Sequence, residues 1–191
     1  MSADSPRRPT ITLIDGRSGS GKTDLARRMV AAAPATTLVR LDDIYPGWDG
    51  LQAGSQHVLD HVLRPLAQGR PGRWQRWDWE SDAPAEWHDV DPGRPLIIEG
   101  CGSLSRANRA LADLGIWVEL DAPTRKARAL ARDGDAYAPH WDRWAAQEEA
   151  FIARERPRAL ADRVVLTPSQ GKTDRTGPAH RGVGASETKT P

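Results

Sequence analysis

One glycine-rich segment near the start of the chain constrains its fold more than any other feature. Residues 16–23 read GRSGSGKT and match the pattern G-x-x-x-x-G-K-[ST], in which a backbone loop wraps around a phosphate group. Glycines let successive N–H groups point at one anion, the lysine reaches the terminal phosphates and the last hydroxyl binds Mg²⁺. The predicted nucleotide-binding residues are Gly16, Ser18, Gly19, Ser20, Gly21, Lys22 and Thr23.

Short apolar runs around this loop predict a parallel sheet that helices cover on both faces. A strand predicted at residues 10–15 and a helix predicted at residues 22–33 supply the strand–loop–helix context of the motif, so a chance glycine-rich turn is the weaker alternative. Further strands are predicted at residues 36–41, 95–99, 115–120 and 163–166. The sequence therefore predicts a three-layer α/β/α P-loop domain with five parallel strands, in the order 2-3-1-4-5, and a short lid.

The remaining segments divide into helices, one irregular stretch and the chain ends. Helices are predicted at residues 56–64, 105–112, 124–132 and 137–155. Residues 69–93 are rich in Gly, Pro and Trp without a clear period, and we expect irregular structure there. We expect a flexible arm at residues 1–9, a P-loop domain at residues 10–167 and a disordered tail at residues 168–191.

Composition narrows the class of protein. The chain has 191 residues and no apolar run near the roughly 20 residues that span a bilayer, and its polar start does not resemble a secretory signal. The single cysteine, Cys101, excludes an intrachain disulfide and a Cys-based zinc site. A formal net charge of +1 gives no sign of nucleic-acid binding. We therefore expect a cytoplasmic protein with neither a membrane nor a nucleic acid as partner.

Acidic residues follow two of the predicted strands, at the sheet edge where ligands bind in folds of this kind. Asp42 and Asp43 end the second strand, and a carboxylate there can accept a proton from a hydroxyl or hold Mg²⁺ through water. Glu99 ends the third strand and is predicted, with Thr23, to lie beside the metal. The alternatives are a capped turn for the two aspartates and a structural carboxylate for Glu99.

Three arginines, Arg125, Arg128 and Arg132, share one face of the predicted helix at residues 124–132. Such a cluster suits a phosphoryl group whose negative charge spreads in the transition state. A solvated surface helix is the alternative interpretation for each of the three.

Taken in order, these segments resemble the uridine kinase and nicotinamide riboside kinase group of P-loop kinases. The resemblance rests on the loop, on LDDIY at residues 41–45, on WDW at residues 77–79, on IEG at residues 98–100, and on the arginine-rich helix with the segments that follow it. It covers residues 10–166 and implies ATP and Mg²⁺ as cofactors and a small-molecule hydroxyl as acceptor.

The resemblance also implies roles for particular residues. Asp42 matches the general base, with Asp43 pointing elsewhere, and Tyr45 matches an aromatic position near the acceptor. Trp77 and Asp78 match the segment that contacts the nucleoside, and Glu99 matches an acid near metal and sugar. Arg128 and Arg132 match lid arginines that close over the phosphates, Arg128 with a catalytic role.

Five of the eight tryptophans, at positions 48, 74, 77, 79 and 87, lie where the acceptor side is expected. Their flat rings are suited to stacking on a base, and space-filling beneath a loop-rich cover is the alternative. Trp141 and Trp144 are predicted to pack the last long helix onto the sheet.

These features predict a kinase that transfers the γ-phosphoryl group of ATP to a nucleoside-like small molecule, with Lys22, Asp42 and Arg128 as catalytic residues. Two alternatives stay open. One is a kinase for another small alcohol, such as an antibiotic, a vitamin or a sugar. The other is an ATP-binding switch or sensor without transfer activity.

Overall fold

A five-stranded parallel sheet forms the centre of the protein in the computed structural model, which describes residues 9–168. The strands of the chain are β1 (Ile11–Asp15), β2 (Thr37–Arg40), β3 (Gly72–Asp78), β4 (Ala83–Val90), β5 (Leu96–Glu99), β6 (Leu114–Glu119) and β7 (Arg163–Leu166). The central sheet has the order β2-β5-β1-β6-β7, with every neighbouring pair parallel. Numbered within this sheet alone, that is the predicted order 2-3-1-4-5, and the predicted P-loop α/β/α fold is confirmed.

Both faces of the sheet are buried, which explains why its central strands are almost continuously apolar. Along β5, Leu96 and Ile98 belong to one apolar cluster, whereas Ile97 between them belongs to a second cluster on the opposite face. The first cluster includes Phe151 from the last long helix, and the second includes Ala26 from the helix after the loop. The sheet is therefore the middle of three layers.

The helices are α1 (Lys22–Ala32), α2 (Leu51–Val58), α3 (Arg64–Ala67), α4 (Arg106–Arg109), α5 (Ala122–Tyr137), α6 (Trp141–Glu155) and α7 (Pro157–Leu160). A π-helical turn, Leu59–Leu63, joins α2 to α3, so this helical stretch is longer than the predicted 56–64. The turn lies just before Pro65, which has no N–H with which to continue the α-helical pattern. The helix predicted at residues 105–112 is the shorter α4.

Residues 69–93 were expected to be irregular, and this prediction is wrong. Strands β3 and β4 form an antiparallel hairpin with a register shift between Gln75 and Trp77. Most side chains along both strands are partly or fully exposed, so no buried face impresses a period of two on the sequence. An exposed ion pair between Arg76 and Glu86 (2.7 Å) links the two strands.

Helix α5 contains a sharp bend at Gly134, whose backbone angles (φ 52°, ψ −134°) are not helical. A 3₁₀ turn, Ala138–His140, then leads into α6. The two separate helices predicted at residues 124–132 and 137–155 correspond to the segments on either side of this bend. The bend lets Arg128, before it, and Tyr137, after it, line the same cleft.

The predicted arm at residues 1–9 and tail at residues 168–191 fall outside the described residues, apart from Pro9 and Pro168. The boundaries of the predicted domain, residues 10–167, therefore stay a prediction. Among residues 9–168, no helix has the length and apolar character needed to cross a bilayer.

Candidate active site

A cleft of about 1060 Å³ opens at the carboxyl ends of the strands, where ligands bind in open α/β sheets. The glycine-rich loop and the start of α1 form its floor. The turn after β2, several aromatic rings, α5 and the residues after β7 also line it. Most of the residues predicted from the sequence to bind ligands lie along this cleft.

The loop adopts a conformation that requires glycine. Gly19 has φ +78°, and a Cβ there would lie 2.1 Å from the backbone oxygen of Arg125, closer than any side chain permits. Gly21 has φ +98° and immediately precedes α1, whose N-terminus faces the cleft. The backbone thereby directs N–H groups and the helix dipole to one place, as an anion site demands.

Several side chains hold this loop from behind. Arg125 donates from Nη1 to the backbone oxygen of Ser18 (3.0 Å), and the Thr167 hydroxyl donates to that of Ser20 (2.8 Å). Arg125 is buried, so of the three helix-face arginines it supports the loop, whereas Arg128 and Arg132 line the cleft.

Lys22 lies at the phosphate end of the cleft. Its Nζ donates to the backbone oxygen of Arg17 (3.1 Å) and to Sγ of Cys101 (3.4 Å). Burial disfavours the ammonium charge, but nearby acidic groups, with Cys101 and Glu99 foremost, raise the pKa of Lys22 to about 12. The lysine is therefore a permanent cation beside the loop. Its side chain is buried.

Thr23 and Glu99, the two residues predicted to lie beside a metal, are hydrogen-bonded to each other. The Thr23 hydroxyl donates to Oε1 of Glu99 (2.9 Å), and Arg40 donates from Nε to the same oxygen (3.3 Å). Glu99 is 1% exposed, and burial followed by the nearby charge of Asp42 raises the pKa of Glu99. A hydroxyl and a carboxylate are the hard oxygen donors that Mg²⁺ prefers.

Asp42 and Asp43 lie in the 3₁₀ turn Leu41–Asp43, and both line the cleft. The expectation that Asp43 points elsewhere is therefore wrong, and Arg40 lies within ion-pair distance of both carboxylates, 3.3 Å from Asp42 and 3.7 Å from Asp43. The surroundings of the two still differ. The negative charge of Asp42 raises the pKa of Lys22 and the pKa of Glu99.

Asp43 lies under the influence of charged residues of the hairpin formed by β3 and β4. Burial raises the pKa of Asp43, whereas the charges of Arg40, Arg76 and His88 lower it. Arg76 and His88 belong to β3 and β4. Asp42 is thus the aspartate on the loop side of the cleft, and Asp43 is the one on the hairpin side.

Five aromatic side chains also line the cleft and form what we call the aromatic wall: Tyr45, Trp48, Trp79, Tyr137 and Trp144. Trp48 stacks on Tyr137 (ring centroids 5.3 Å apart) and on His140 (4.4 Å), and lies 5.0 Å from Trp79. The Trp79 indole donates to the backbone oxygen of Asp42 (2.9 Å), which ties this wall to the acidic turn. Trp48 and Trp79 are among the five tryptophans expected from the sequence on the acceptor side. Tyr137 was not identified from the sequence as a residue of the cleft.

Tyr45 and Trp144 are two buried members of the aromatic wall. The Tyr45 hydroxyl donates to the backbone oxygen of Cys101 (2.7 Å), and its ring lies edge-on to Trp144 at 4.8 Å. Both side chains are almost fully buried and still border the cleft. Trp144 therefore packs α6 against the core, as predicted, and also lines the cleft.

Three residues predicted to contact the substrate, Trp77, Asp78 and the buried Glu99, do not line the cleft. Asp78 accepts hydrogen bonds from the Ser81 hydroxyl (2.8 Å) and the Glu80 amide (3.2 Å), so its carboxylate closes the turn of the hairpin. Trp74 stacks on His88 and Trp87 on His57, away from the site.

Asp15, at the end of β1, is a buried carboxylate that the sequence analysis missed. It accepts backbone N–H groups from Gly16 (2.6 Å), Gly102 (3.1 Å) and Leu104 (2.9 Å), and so joins the start of the loop to the segment after β5. Burial raises the pKa of Asp15 to about 6, although these N–H groups and Lys22 oppose the shift.

We expect Asp15 to make stability depend on pH. A carboxyl group whose pKa is higher in the folded state stabilises the fold at low pH, and this contribution is lost as pH rises from about 4 to about 6. The shift from 3.8 to about 6 corresponds to about 3 kcal/mol. Urea unfolding of the wild type and of Asp15→Asn from pH 4 to 7 measures it: the wild type should lose stability relative to the variant. A constant difference would contradict the expectation.

No protein-family model matches the chain. It is 28% identical over 142 residues to a uridine kinase from Brevibacillus brevis, covering 65% of this chain and 66% of the relative. It is 27% identical over 141 residues to uridine-cytidine kinase C from Dictyostelium discoideum, covering 66% of this chain and 31% of the relative. The match thus spans less than two thirds of either relative.

Among solved structures, a possible uridine kinase from Bacillus stearothermophilus superposes with a TM-score of 0.61 at 17% sequence identity, covering 83% of this chain and 89% of that one. At this identity the similarity demonstrates a shared fold. The two sequence relatives and the solved structure are named as uridine or uridine-cytidine kinases, the group that the motifs at the strand ends resemble. The chain therefore has the P-loop kinase fold and resembles the uridine kinase group.

Proposed function

We propose that this chain is an ATP- and Mg²⁺-dependent kinase that transfers the γ-phosphoryl group to a hydroxyl of a nucleoside-like small molecule. The observation that carries the proposal is the arrangement of three features at one cleft: the phosphate loop with Lys22, the Thr23 hydroxyl with the buried Glu99 hydrogen-bonded to it, and the carboxylate of Asp42. A nucleotide-binding switch needs the first two of these features. A kinase also needs a proton acceptor beside the acceptor hydroxyl.

The donor set around Thr23 supports Mg²⁺ as the metal. Among residues 9–168, no group of three or more His, Cys, Asp or Glu side chains is arranged to hold a metal ion. Mg²⁺ commonly takes only one or two protein oxygens and completes its shell with water and phosphate oxygens. The Thr23 hydroxyl and the Glu99 carboxylate fit that role, in which the ion supplies charge neutralisation at the phosphates.

In the proposed reaction, the protein mainly positions the reactants and stabilises charge. Lys22 and the N–H groups of the loop bind the phosphates, and Asp42 accepts the proton that leaves the acceptor hydroxyl. Arg128 and Arg132, both on α5, line the same cleft as Asp42 and are the arginines that would reach the transferred group. Their fixed positive charge would stabilise the negative charge that spreads over its oxygens.

The aromatic wall supports an acceptor that carries a planar ring. Trp48 and Trp79 line the same cleft as Asp42, and the Trp79 indole is hydrogen-bonded to the backbone oxygen of Asp42. Nucleosides have such a ring together with sugar hydroxyls, and the matched relatives are named for uridine and cytidine. The engagement of Asp78 in its own turn favours keeping a second candidate, a kinase for another small alcohol such as an antibiotic, a vitamin or a sugar.

The test is to measure ATP consumption by the purified protein against a library of nucleosides and other small alcohols, with product identification by mass spectrometry. Acceptor-dependent turnover with a ring-bearing nucleoside is the expected result. Turnover confined to acceptors without a planar ring would move the assignment to the second candidate. Tight ATP binding without any phosphorylated product would indicate a switch or sensor instead.

A further inference from the structure

The proposed chemistry does not use Glu148, a carboxylate buried behind the phosphate loop. Glu148 lies in α6 and is 3% exposed. Its Oε1 accepts the backbone N–H of Ser18 (2.7 Å), and its Oε2 accepts Nε of Arg17 (2.9 Å). Both partners are residues of the loop itself, so one side chain from a distant helix holds two consecutive loop positions.

A buried carboxylate is retained only when its charge and lone pairs are satisfied. Burial works against the ionised form, but the Arg17 guanidinium and the Ser18 amide lower the pKa of Glu148 below its ordinary value. The two hydrogen bonds are therefore charge-assisted, which makes them stronger than bonds between neutral groups. They fix the backbone of the segment just before Gly19, where the loop turns toward the phosphates.

The neighbouring residue in α6 holds the other side of the cleft. Gln147 donates from Nε2 to the backbone oxygen of Trp48 (2.7 Å) and accepts the backbone N–H of Leu51 (3.4 Å). Adjacent side chains of one helix thus bind the phosphate loop and the segment that carries the aromatic wall. Helix α6 sets the distance between the two.

We infer that Glu148 is a positioning residue, which holds the phosphate loop in its anion-binding conformation through the Ser18 amide and Arg17. This inference rests on the proposed function, because it takes the loop to be the ATP site. Without Glu148, the loop would have to be ordered by the nucleotide when it binds, and that ordering would weaken binding. The effect should fall on the affinity for ATP rather than on transfer from bound ATP.

The test compares the binding of ATP with Mg²⁺ by calorimetry in the wild type and in Glu148→Gln. The amide is nearly isosteric, but it removes the charge and one acceptor. We expect binding about tenfold weaker or more, since a hydrogen bond to a charged group contributes about 1.5–3 kcal/mol. In acceptor assays, KM for ATP should rise while kcat at saturating ATP changes by less than about threefold.

Glu149→Gln is the matched control. Glu149 is the next residue in α6 and also pairs with Arg17 (3.3 Å), but its side chain is 69% exposed. Exposed pairs contribute at most about 1 kcal/mol, so ATP binding should weaken less than about fivefold. Equal losses in both variants would mean that only the charge near Arg17 matters, and would overturn the role assigned to the buried bond with Ser18.

The other outcomes are also decisive. If the wild type does not bind ATP, the proposed function fails, and the inference fails with it. If the wild type binds and Glu148→Gln binds equally well, only the positioning role is lost. If Glu148→Gln does not fold, Glu148→Asp decides, because it keeps the charge and shortens the reach by one methylene. Unchanged ATP binding in Glu148→Asp would then overturn the inference.

Discussion

Lys22→Ala is expected to lower phosphoryl transfer by about 10²-fold or more, because one preorganised charge contact to the phosphates is lost. The ammonium group is a permanent cation at the phosphate end of the cleft, and the carboxylate of Glu99 is among the groups that raise its pKa. Steady-state turnover with a verified acceptor measures the loss. Thermal melting of the same preparation shows whether the fold survives.

Because Lys22 is buried, alanine removes packing as well as charge. Lys22→Met is the matched variant, since it keeps an unbranched stem of similar length without the ammonium group. Both variants should lose activity to a similar extent, with methionine closer to the wild type in melting temperature. Normal turnover in a folded Lys22→Met protein would show that the loop is not the site of the transferred phosphates.

The central strands could be predicted from the sequence because they are buried on both faces of the sheet. Such strands are apolar at nearly every position. The run LIIE in β5 is apolar at three successive positions and is followed by Gly100, which marks its end. The phosphate loop was predicted for a related reason. Its glycines are required by backbone geometry, as the 2.1 Å approach at Gly19 demonstrates, and such a requirement does not depend on distant residues.

The features that escaped prediction depend on partners far away in the chain. Glu148 lies 130 residues from the Ser18 amide that it binds, and Asp15 lies 89 residues from that of Leu104. In sequence, each is one charged residue among many. The hairpin of β3 and β4 was missed because its side chains are mostly exposed, and Asp78 was misleading because its turn uses the carboxylate locally.

Asp42→Asn is expected to abolish most of the transfer while ATP still binds. Asparagine keeps size and shape but cannot accept the proton of the acceptor hydroxyl, and a general base typically contributes about 10²- to 10⁴-fold. The hydrogen bond from the Trp79 indole goes to the backbone oxygen of Asp42, so the substitution leaves it in place. Calorimetry with ATP and Mg²⁺, together with acceptor turnover, separates binding from transfer.

Asp43→Asn is the control, and a demanding one, because both aspartates line the cleft. Asp43 lies under the influence of Arg76 and His88 of the hairpin, whereas Asp42 acts on Lys22 and Glu99 beside the phosphates. Asp43→Asn should therefore lose clearly less activity, with any loss appearing in KM for the acceptor. An inactive Asp43→Asn beside an active Asp42→Asn would assign the base to the hairpin-side residue. If both variants phosphorylate the true acceptor normally, neither carboxylate takes the proton, and transfer relies on charge stabilisation alone.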